Sequence, residues 1–250
     1  MRPRLGINVD HVATLRQQRD EGYPSVVDAC QHVLRAGADQ ITIHLREDRR
    51  HIQDTDVQSV KLVTKDFGVP LNLEMGCADE IIEIAIAAKP EWICLVPEKR
   101  EEKTTEGGLD LLNEDNFLKI KQTMEKLKSS LADVKISLFV EANIEVMKRS
   151  VELNADAVEI HTGHYAKAFL ENDDIEAHIS SFKECSDFLK NSTVLYHAGH
   201  GLTLDSVIPL LKLNIFREYN IGHWIVAQAL FEGLSGVTER FIKLFDNYDI

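Results

Sequence analysis

The sequence has little of what would direct it to a membrane, a nucleic acid or an oxidising compartment. Its 250 residues carry 28 lysines and arginines against 41 aspartates and glutamates, a net charge of −13. A surface of that sign repels phosphate backbones and anionic lipid headgroups, so neither a nucleic-acid partner nor a membrane partner is expected. Anionic small molecules stay possible, because a few arginines in a cleft reverse the potential locally. No apolar run approaches the ~20 residues that span a bilayer. The start, Met1-Arg2-Pro3-Arg4, runs into a strand-like segment at Leu5 without an apolar targeting core, so a cytoplasmic location is expected. The four cysteines, Cys30, Cys77, Cys94 and Cys185, form no Cys-x-x-Cys pair. A chain of this length needs no disulfide staples, so free thiols in a reducing compartment are expected. Proline- or serine-rich linkers, low-complexity tracts and sequence repeats are also missing. One domain over residues 1–250 follows as the expected organisation.

What the sequence does have is a structural alternation. Short β-rich runs recur at Leu5–Asp10, Gln40–Leu45, Leu71–Met75, Trp92–Pro97, Lys135–Glu141, Ala157–Thr162, Thr193–Gly199 and Glu218–Gly222. Stretches with helical apolar spacing lie between them, such as Val26-Val27-Cys30-Val33-Leu34 and Ile81-Ile82-Ile84-Ala85-Ala88. Ser25 can cap a helix ending at Gly37; Asp79 falls in the first turn of another, which Pro90 follows. Strands alternating with helices at this length predict an α/β fold, a single-domain (β/α)8 TIM barrel with extra helices, ahead of a doubly wound open sheet. Two connections look long, residues 98–113 after the fourth strand and His164–Asp174 after the sixth. Both would lie at the C-terminal mouth, and the first is a candidate active-site lid loop.

Buried parallel strands usually read as continuous apolar runs. These alternate instead. Ile41, Ile43 and Leu45 oppose Thr42, His44 and Arg46; Leu71, Leu73 and Met75 oppose Asn72 and Glu74. Ile136, Leu138 and Val140 oppose Ser137, Phe139 and Glu141; Val158 and Ile160 oppose Glu159 and His161; Ile7 and Val9 oppose Asn8 and Asp10. With a two-residue period, one face packs on helices and the other points into the barrel. Unpaired charges in a dry interior cost several kcal/mol each, so a wet, chemically equipped cavity is the economical reading over a buried ion-pair network. His11, His44, His161, His197, His200 and His223 are expected at strand ends, converging on one rim and suited to proton transfer near neutral pH. The glycine-rich segments His197-Ala-Gly-His-Gly201 and Asn220-Ile-Gly-His223 end the last two strands, where barrels commonly hold phosphate. Arg46, in Leu45-Arg-Glu-Asp-Arg-Arg-His51, offers a second anion site. Two anion sites suggest two small phosphorylated substrates.

At this point the residues resemble a known family, the pyridoxine 5′-phosphate synthases of deoxyxylulose-dependent vitamin B6 biosynthesis. The resemblance is carried by Asn8-Val-Asp-His11 with Ala13-Thr-Leu-Arg16, Thr42-Ile-His-Leu-Arg-Glu-Asp-Arg-Arg-His51, Asn72-Leu-Glu-Met75, Leu95-Val-Pro-Glu-Lys-Arg100 with Thr104-Thr-Glu-Gly-Gly-Leu-Asp110, Glu159-Ile-His-Thr-Gly163, Ala198-Gly-His-Gly-Leu202 and Asn220-Ile-Gly-His223. It implies a transferase-type condensation of 1-deoxy-D-xylulose 5-phosphate with 3-amino-2-oxopropyl phosphate, releasing phosphate and water, without cofactor or metal. By position it makes His44 and Glu74 general bases, His200 the general acid and Glu159 a stabiliser of charged intermediates. Asn8, Arg19, Gly201, Gly222 and His223 correspond to contacts with the amino-ketone phosphate. Asp10, His11, Arg46, His51 and Thr104 correspond to contacts with the deoxyxylulose phosphate. It further implies a homo-octamer built from dimers. His197 and Glu141 depart from the family pattern, which more often has Asn and Asp there. Two rivals follow from the residues: a metal-dependent barrel hydrolase, disfavoured because no His-x-His or Cys/His ligand cluster occurs, and a non-catalytic barrel that binds a phosphometabolite as a scaffold.

Overall fold

The computed structural model describes residues 2–19, 21–104 and 107–248. Its strands are β1 (Arg4–Asn8), β2 (Gln40–Leu45), β3 (Leu71–Met75), β4 (Trp92–Leu95), β5 (Lys135–Val140), β6 (Ala157–His161), β7 (Leu195–Gly199) and β8 (Glu218–Ile221). They pair in parallel in chain order, and β8 pairs with β1 to close the barrel, with Leu5 opposite Tyr219 and Ile7 opposite Ile221. The helices are α1 (Asp10–Gln17), α2 (Val26–Arg35), α3 (Asp54–Phe67), α4 (Asp79–Ala88), α5 (Glu114–Ser130), α6 (Ile144–Glu152), α7 (Gly163–Glu171), α8 (Glu176–Leu189), α9 (Val207–Leu213), α10 (His223–Glu232) and α11 (Leu234–Phe245). The eight-stranded closed barrel is the expected fold, and the open sheet is excluded.

Local chemistry sets the helix limits. The Ser25 hydroxyl accepts from Asp28 N–H at the start of α2, and Asn113 and Asn143 side chains cap α5 and α6 in the same way. Gly68, at φ 68°, lets the chain leave α3 in a left-handed turn. Strand ends were read one or two residues long at β1, β4 and β5. Asp10, expected to end the first strand, instead opens α1. The supposed long connection His164–Asp174 is mostly helix: α7 buries Tyr165 and Ala166 and ends where Asn172 turns left-handed at φ 58°. Residues 98–113 do form a long irregular connection, with a short 3-10 turn at Arg100–Glu102 and an antiparallel bridge between Lys103 and Leu109.

The core lies between sheet and helices. Ile41, Ile43, Leu45, Leu71, Leu73, Met75, Ile136, Leu138, Val140, Val158 and Ile160 are all fully buried on the outer side of the barrel wall. At ~1.5–3 kcal/mol for each large aliphatic side chain buried, this ring supplies the main stabilisation. The inner side is polar. Gln40 Nε2 donates to Glu218 Oε1 at 2.8 Å, Thr42 Oγ to Asn220 Oδ1 at 3.0 Å, and Asn220 Nδ2 to Glu159 Oε2 at 2.8 Å. Those bonds join strands that are not neighbours in the sheet, which only inward-pointing side chains can do. The parity reading therefore holds. The cysteines are free; Cys30, Cys94 and Cys185 are buried and Cys77 is partly buried. Among the described residues, no helix is long and apolar enough to cross a membrane.

Candidate active site

The C-terminal ends of the strands surround a cavity of 490 Å³. Of the expected site residues, Asn8, Asp10, His11, His44, Arg46, His51, Glu74, Glu159, His200, Gly201, Gly222 and His223 all line it. They come from the ends of β1, β2, β3, β6, β7 and β8 and the segments just beyond them. Arg19 does not line it: this residue lies exposed just past the end of α1. Thr104 is half-buried in the long loop, where its hydroxyl accepts from Gly107 N–H. His197 does not reach the rim. It sits mid-strand in β7, buried below the cavity, with Nδ1 3.6 Å from Glu218 Oε1 and its ring 5.5 Å from Trp92. It was expected at the strand end and lies two residues deeper.

The acids form a connected group. Asp10 Oδ1 accepts from His44 N–H at 2.8 Å, and Asp10 Oδ2 from Asn8 Nδ2 at 2.8 Å. Burial pushes the Asp10 carboxyl up to about 6, despite the nearby His44 and Arg46 charges. Burial also raises Glu74 well above the ordinary carboxylate range, with the charges of Glu159 and Asp10 adding to it. Glu159 rises to about 8, first through burial and then through the charge of Glu218. Carboxyls in such a cluster can hold or release a proton near neutral pH.

The histidines are oriented by partners that sequence reasoning missed. His44 Nε2 is 2.7 Å from Oε1 of Glu98, whose side chain is almost wholly buried, and His44 Nδ1 lies 3.9 Å from Glu74 Oε2. A carboxylate on Nε2 requires a proton there, which leaves the Nδ1 lone pair facing Glu74. Glu98 also approaches Arg46 at 3.4 Å. Opposite, His161 Nδ1 lies 2.9 Å from Glu141 Oε1, and the His161 ring is 4.9 Å from that of His200. Burial and the neighbouring imidazole of His161 lower His200 to about 4, and burial with His44 does the same for His51. Glu141 was legible as an inward strand-end group and Glu98 only as a loop charge; the signal that could have paired them with histidines is their position just beyond β4 and β5.

Two sides of the cavity suit anions. His223 opens α10, and a side chain at Gly222 would meet Asn8 Cβ at 2.8 Å, so only glycine lets the backbone pass there. His200 and Gly201 both adopt φ 78°. The N-terminus of a ten-residue helix next to bare backbone is a ready anion site. On the other side stands Arg46, with Arg49 and Arg50 turned away to Asp54, Glu80 and Asp48.

Asp10, His44 and His51 bring donor atoms within 4.8 Å of one another, a spacing that could hold a metal ion. Part of their donor capacity is already engaged. His51 Nδ1 accepts from Ile52 N–H at 2.8 Å, which fixes the proton on Nε2 and removes that nitrogen as a ligand. Both Asp10 oxygens accept protein hydrogen bonds and His44 Nε2 faces Glu98. The donor set does not fit a metal without rearrangement.

Comparison with known proteins places this arrangement. The family model described as pyridoxal phosphate biosynthesis protein PdxJ matches residues 5–247. Pyridoxine 5′-phosphate synthase of Zymomonas mobilis is 43% identical over 245 residues, covering 98% of this chain and 92% of that protein. Pyridoxine 5′-phosphate synthase of Aquifex aeolicus is 45% identical over 246 residues, covering 96% of this chain and 98% of that protein. Among solved structures, thiamine phosphate pyrophosphorylase of Pyrococcus furiosus superposes with a TM-score of 0.62 at 12% identity, over 98% of this chain and 96% of that one. That likeness concerns the fold alone.

Proposed function

The chain belongs to the PdxJ family of pyridoxal phosphate biosynthesis proteins and is an enzyme of the pyridoxine 5′-phosphate synthase type; on that premise we propose that its cavity condenses 1-deoxy-D-xylulose 5-phosphate with 3-amino-2-oxopropyl phosphate. The supporting observation is convergence: His44, Glu74, Glu159 and His200 line one cavity between a glycine-rich helix N-terminus and Arg46. In this reading the amino-ketone phosphate lies near Asn8, Gly201, Gly222 and His223. The deoxyxylulose phosphate lies near Asp10, His11, Arg46 and His51. The amine attacks the ketone to give an imine, and eliminations and an aldol-type closure build the pyridine with loss of phosphate and water.

The residues divide that work by their proton affinities. With Glu98 on Nε2, His44 offers Nδ1 as a base, and the raised carboxyl of Glu74 3.9 Å away can receive the proton in turn. Glu159 holds its proton in the empty cavity and ionises as positive charge develops on the substrate nitrogen, which then stabilises that charge. His200 is neutral before substrate arrives. A phosphate charge at ~8 Å with an effective dielectric near ~20 contributes ~2 kcal/mol, about 1.5 pKa units, so each bound charge moves His200 part of the way back toward its ordinary value. The loop over residues 98–113 would exclude water once both substrates are bound.

Turnover is tested by incubating the protein with both phosphorylated substrates, without added metal or nucleotide, and following pyridine absorbance. His44→Ala and Glu74→Gln should stay folded and lose most turnover; near-normal kcat in either would remove that residue's role. Arg46→Ala should mainly raise the KM for the deoxyxylulose phosphate. Product formation that depended on added metal would favour the hydrolase-like rival, and ligand binding without turnover the scaffold. We further propose a homo-oligomer, an octamer by resemblance. Leu15, Tyr23 and Leu230 border an exposed apolar groove on the α1 and α10 side, and Phe231 beside it is 83% exposed. A patch of that kind usually marks an association surface. Sedimentation at micromolar concentration tests it, and a monomer would count against it.

A further inference from the structure

The structure assigns Glu141 a positioning role in which it ties docking of the 98–113 loop to the protonation of the neighbouring imidazoles of His161 and His200. This rests on the reading of His200 as the acid of the condensation. Glu141 directly follows β5, and a single oxygen, Oε1, takes both of its hydrogen bonds. His161 Nδ1 lies 2.9 Å from it, and the Gly108 N–H of the loop donates to it at 2.9 Å. Facing a carboxylate, His161 must carry its proton on Nδ1.

The loop is seated on this pair by its backbone. Leu109 N–H donates to Phe139 O at 2.8 Å. A side chain at Gly108 would come within 2.8 Å of Glu141 N and 2.9 Å of Val140 C. One at Gly107 would press on His161 Cε1 at 3.3 Å. Gly107, Gly108 and Leu109 therefore sit tightly over the Glu141–His161 contact. Burial alone would raise the Glu141 carboxyl, yet the hydrogen bonds from His161 and Gly108 hold it below its ordinary value, so it is an anion at neutral pH.

Two donors on one anionic oxygen compete for its charge. When His161 takes a second proton, its Nδ1–H draws more of that charge and the Gly108 bond weakens. By linkage, docking of Gly108 must make His161 less basic by the same factor. With their rings 4.9 Å apart, a charged His161 opposes protonation of His200. Loop docking therefore favours a neutral His161 and leaves His200 free to carry the proton. Other titratable groups facing the pair are His164 from α7, His11 from α1, His223 from α10 and, deeper on β6, Glu159. Glu141 touches both the loop and the imidazole, through Gly108 N–H and His161 Nδ1.

The test has two arms. In the wild-type protein without substrate, tryptic cleavage after Lys103 is followed by mass from about pH 6 to about pH 8, the histidine range, normalised to cleavage after the exposed Lys190. Cleavage should slow about fivefold as pH rises, the lower end of ordinary coupling, and should be flat in Glu141→Gln. In the second arm, the kcat profile of Glu141→Gln should have its acidic limb moved to lower pH by about one unit, because the lost charge no longer favours protonated His161. Glu141→Asp should restore the limb while raising KM through weaker loop docking. A flat wild-type cleavage profile, or an unmoved limb in Glu141→Gln, would overturn the assignment. If that variant fails to fold, the wild-type arm still decides. Absence of any pyridine product from the wild type would instead remove the proposed reaction and leave the cleavage arm to judge the loop linkage.

Discussion

Replacing Glu159 with glutamine should stabilise the protein in mild alkali and leave its stability unchanged in mild acid. Glu159 is 2% exposed and its carboxyl is raised from 4.5 to about 8, through burial and then the charge of Glu218. Below the unfolded value both folded and unfolded chains hold the proton, so the site costs nothing. Above it the unfolded chain releases the proton while the folded one retains it, and stability falls by ~1.4 kcal/mol per pH unit until the folded carboxyl ionises. The limiting cost is ~5 kcal/mol, and water reaching the cavity floor reduces it to about 2–3 kcal/mol. Glutamine has no proton to release, and its Oε1 can still accept from Asn220 Nδ2. At ~2–4 °C per kcal/mol for a chain of this size, Glu159→Gln should melt about 5–10 °C above wild type near pH 8.5 and equal to it near pH 4.5. Thermal melts of both proteins, run side by side across that range, give the difference directly. A constant difference at every pH, or a less stable variant in alkali, would refute the reasoning. The same variant should lose turnover, since a destabilised carboxyl is the working state of the site.

Three further outcomes follow from the contacts. Gly199→Ala would place a methyl 2.0 Å from Glu159 Oε1, so it should abolish most turnover while circular dichroism stays native. Arg16 makes two 2.7 Å bonds to Asp56, which is nearly buried, and a third to His51 O; Arg16→Ala should cost about 3–5 kcal/mol in urea unfolding and weaken anion binding near His51. Adding inorganic phosphate should raise the NMR titration midpoint of His200 from about 4, its free value; a midpoint that stays put would show that anions do not arm the acid.

Most of the fold was legible because alternation survives in the strands. Leu71–Met75 and Gln40–Leu45 fall where expected, and their outward leucines and isoleucines are fully buried while Asn72, Glu74, Thr42 and His44 face inward. Depth along a strand was less legible than face. His197 was grouped with the strand-end histidines, yet two residues of β7 follow it and it lies under the cavity beside Trp92. The segment after β6 reads as polar loop because Glu171, Asp173 and Asp174 crowd its end, yet Tyr165 and Ala166 anchor a helix there. The partners of Glu98 and Glu141 escaped notice for a different reason. Their roles exist only through partners 54 and 20 residues away, His44 and His161, and no local pattern encodes such pairs. Arg19 marks the opposite case, a position matched by resemblance that this single chain leaves outside the cavity.

The polar lining and the oily jacket of the barrel share strands but not side chains. Every other residue of β2, β3, β5 and β6 belongs to a layer whose loss would melt the protein, and the residues between them belong to one whose loss would only silence it. Laboratory evolution could therefore rewrite the inward set at little risk while the outward set keeps the scaffold intact. Reprogramming of this protein toward other substrates should begin at cavity positions such as Val96 and Phe139, which line it without taking part in the proposed proton transfers.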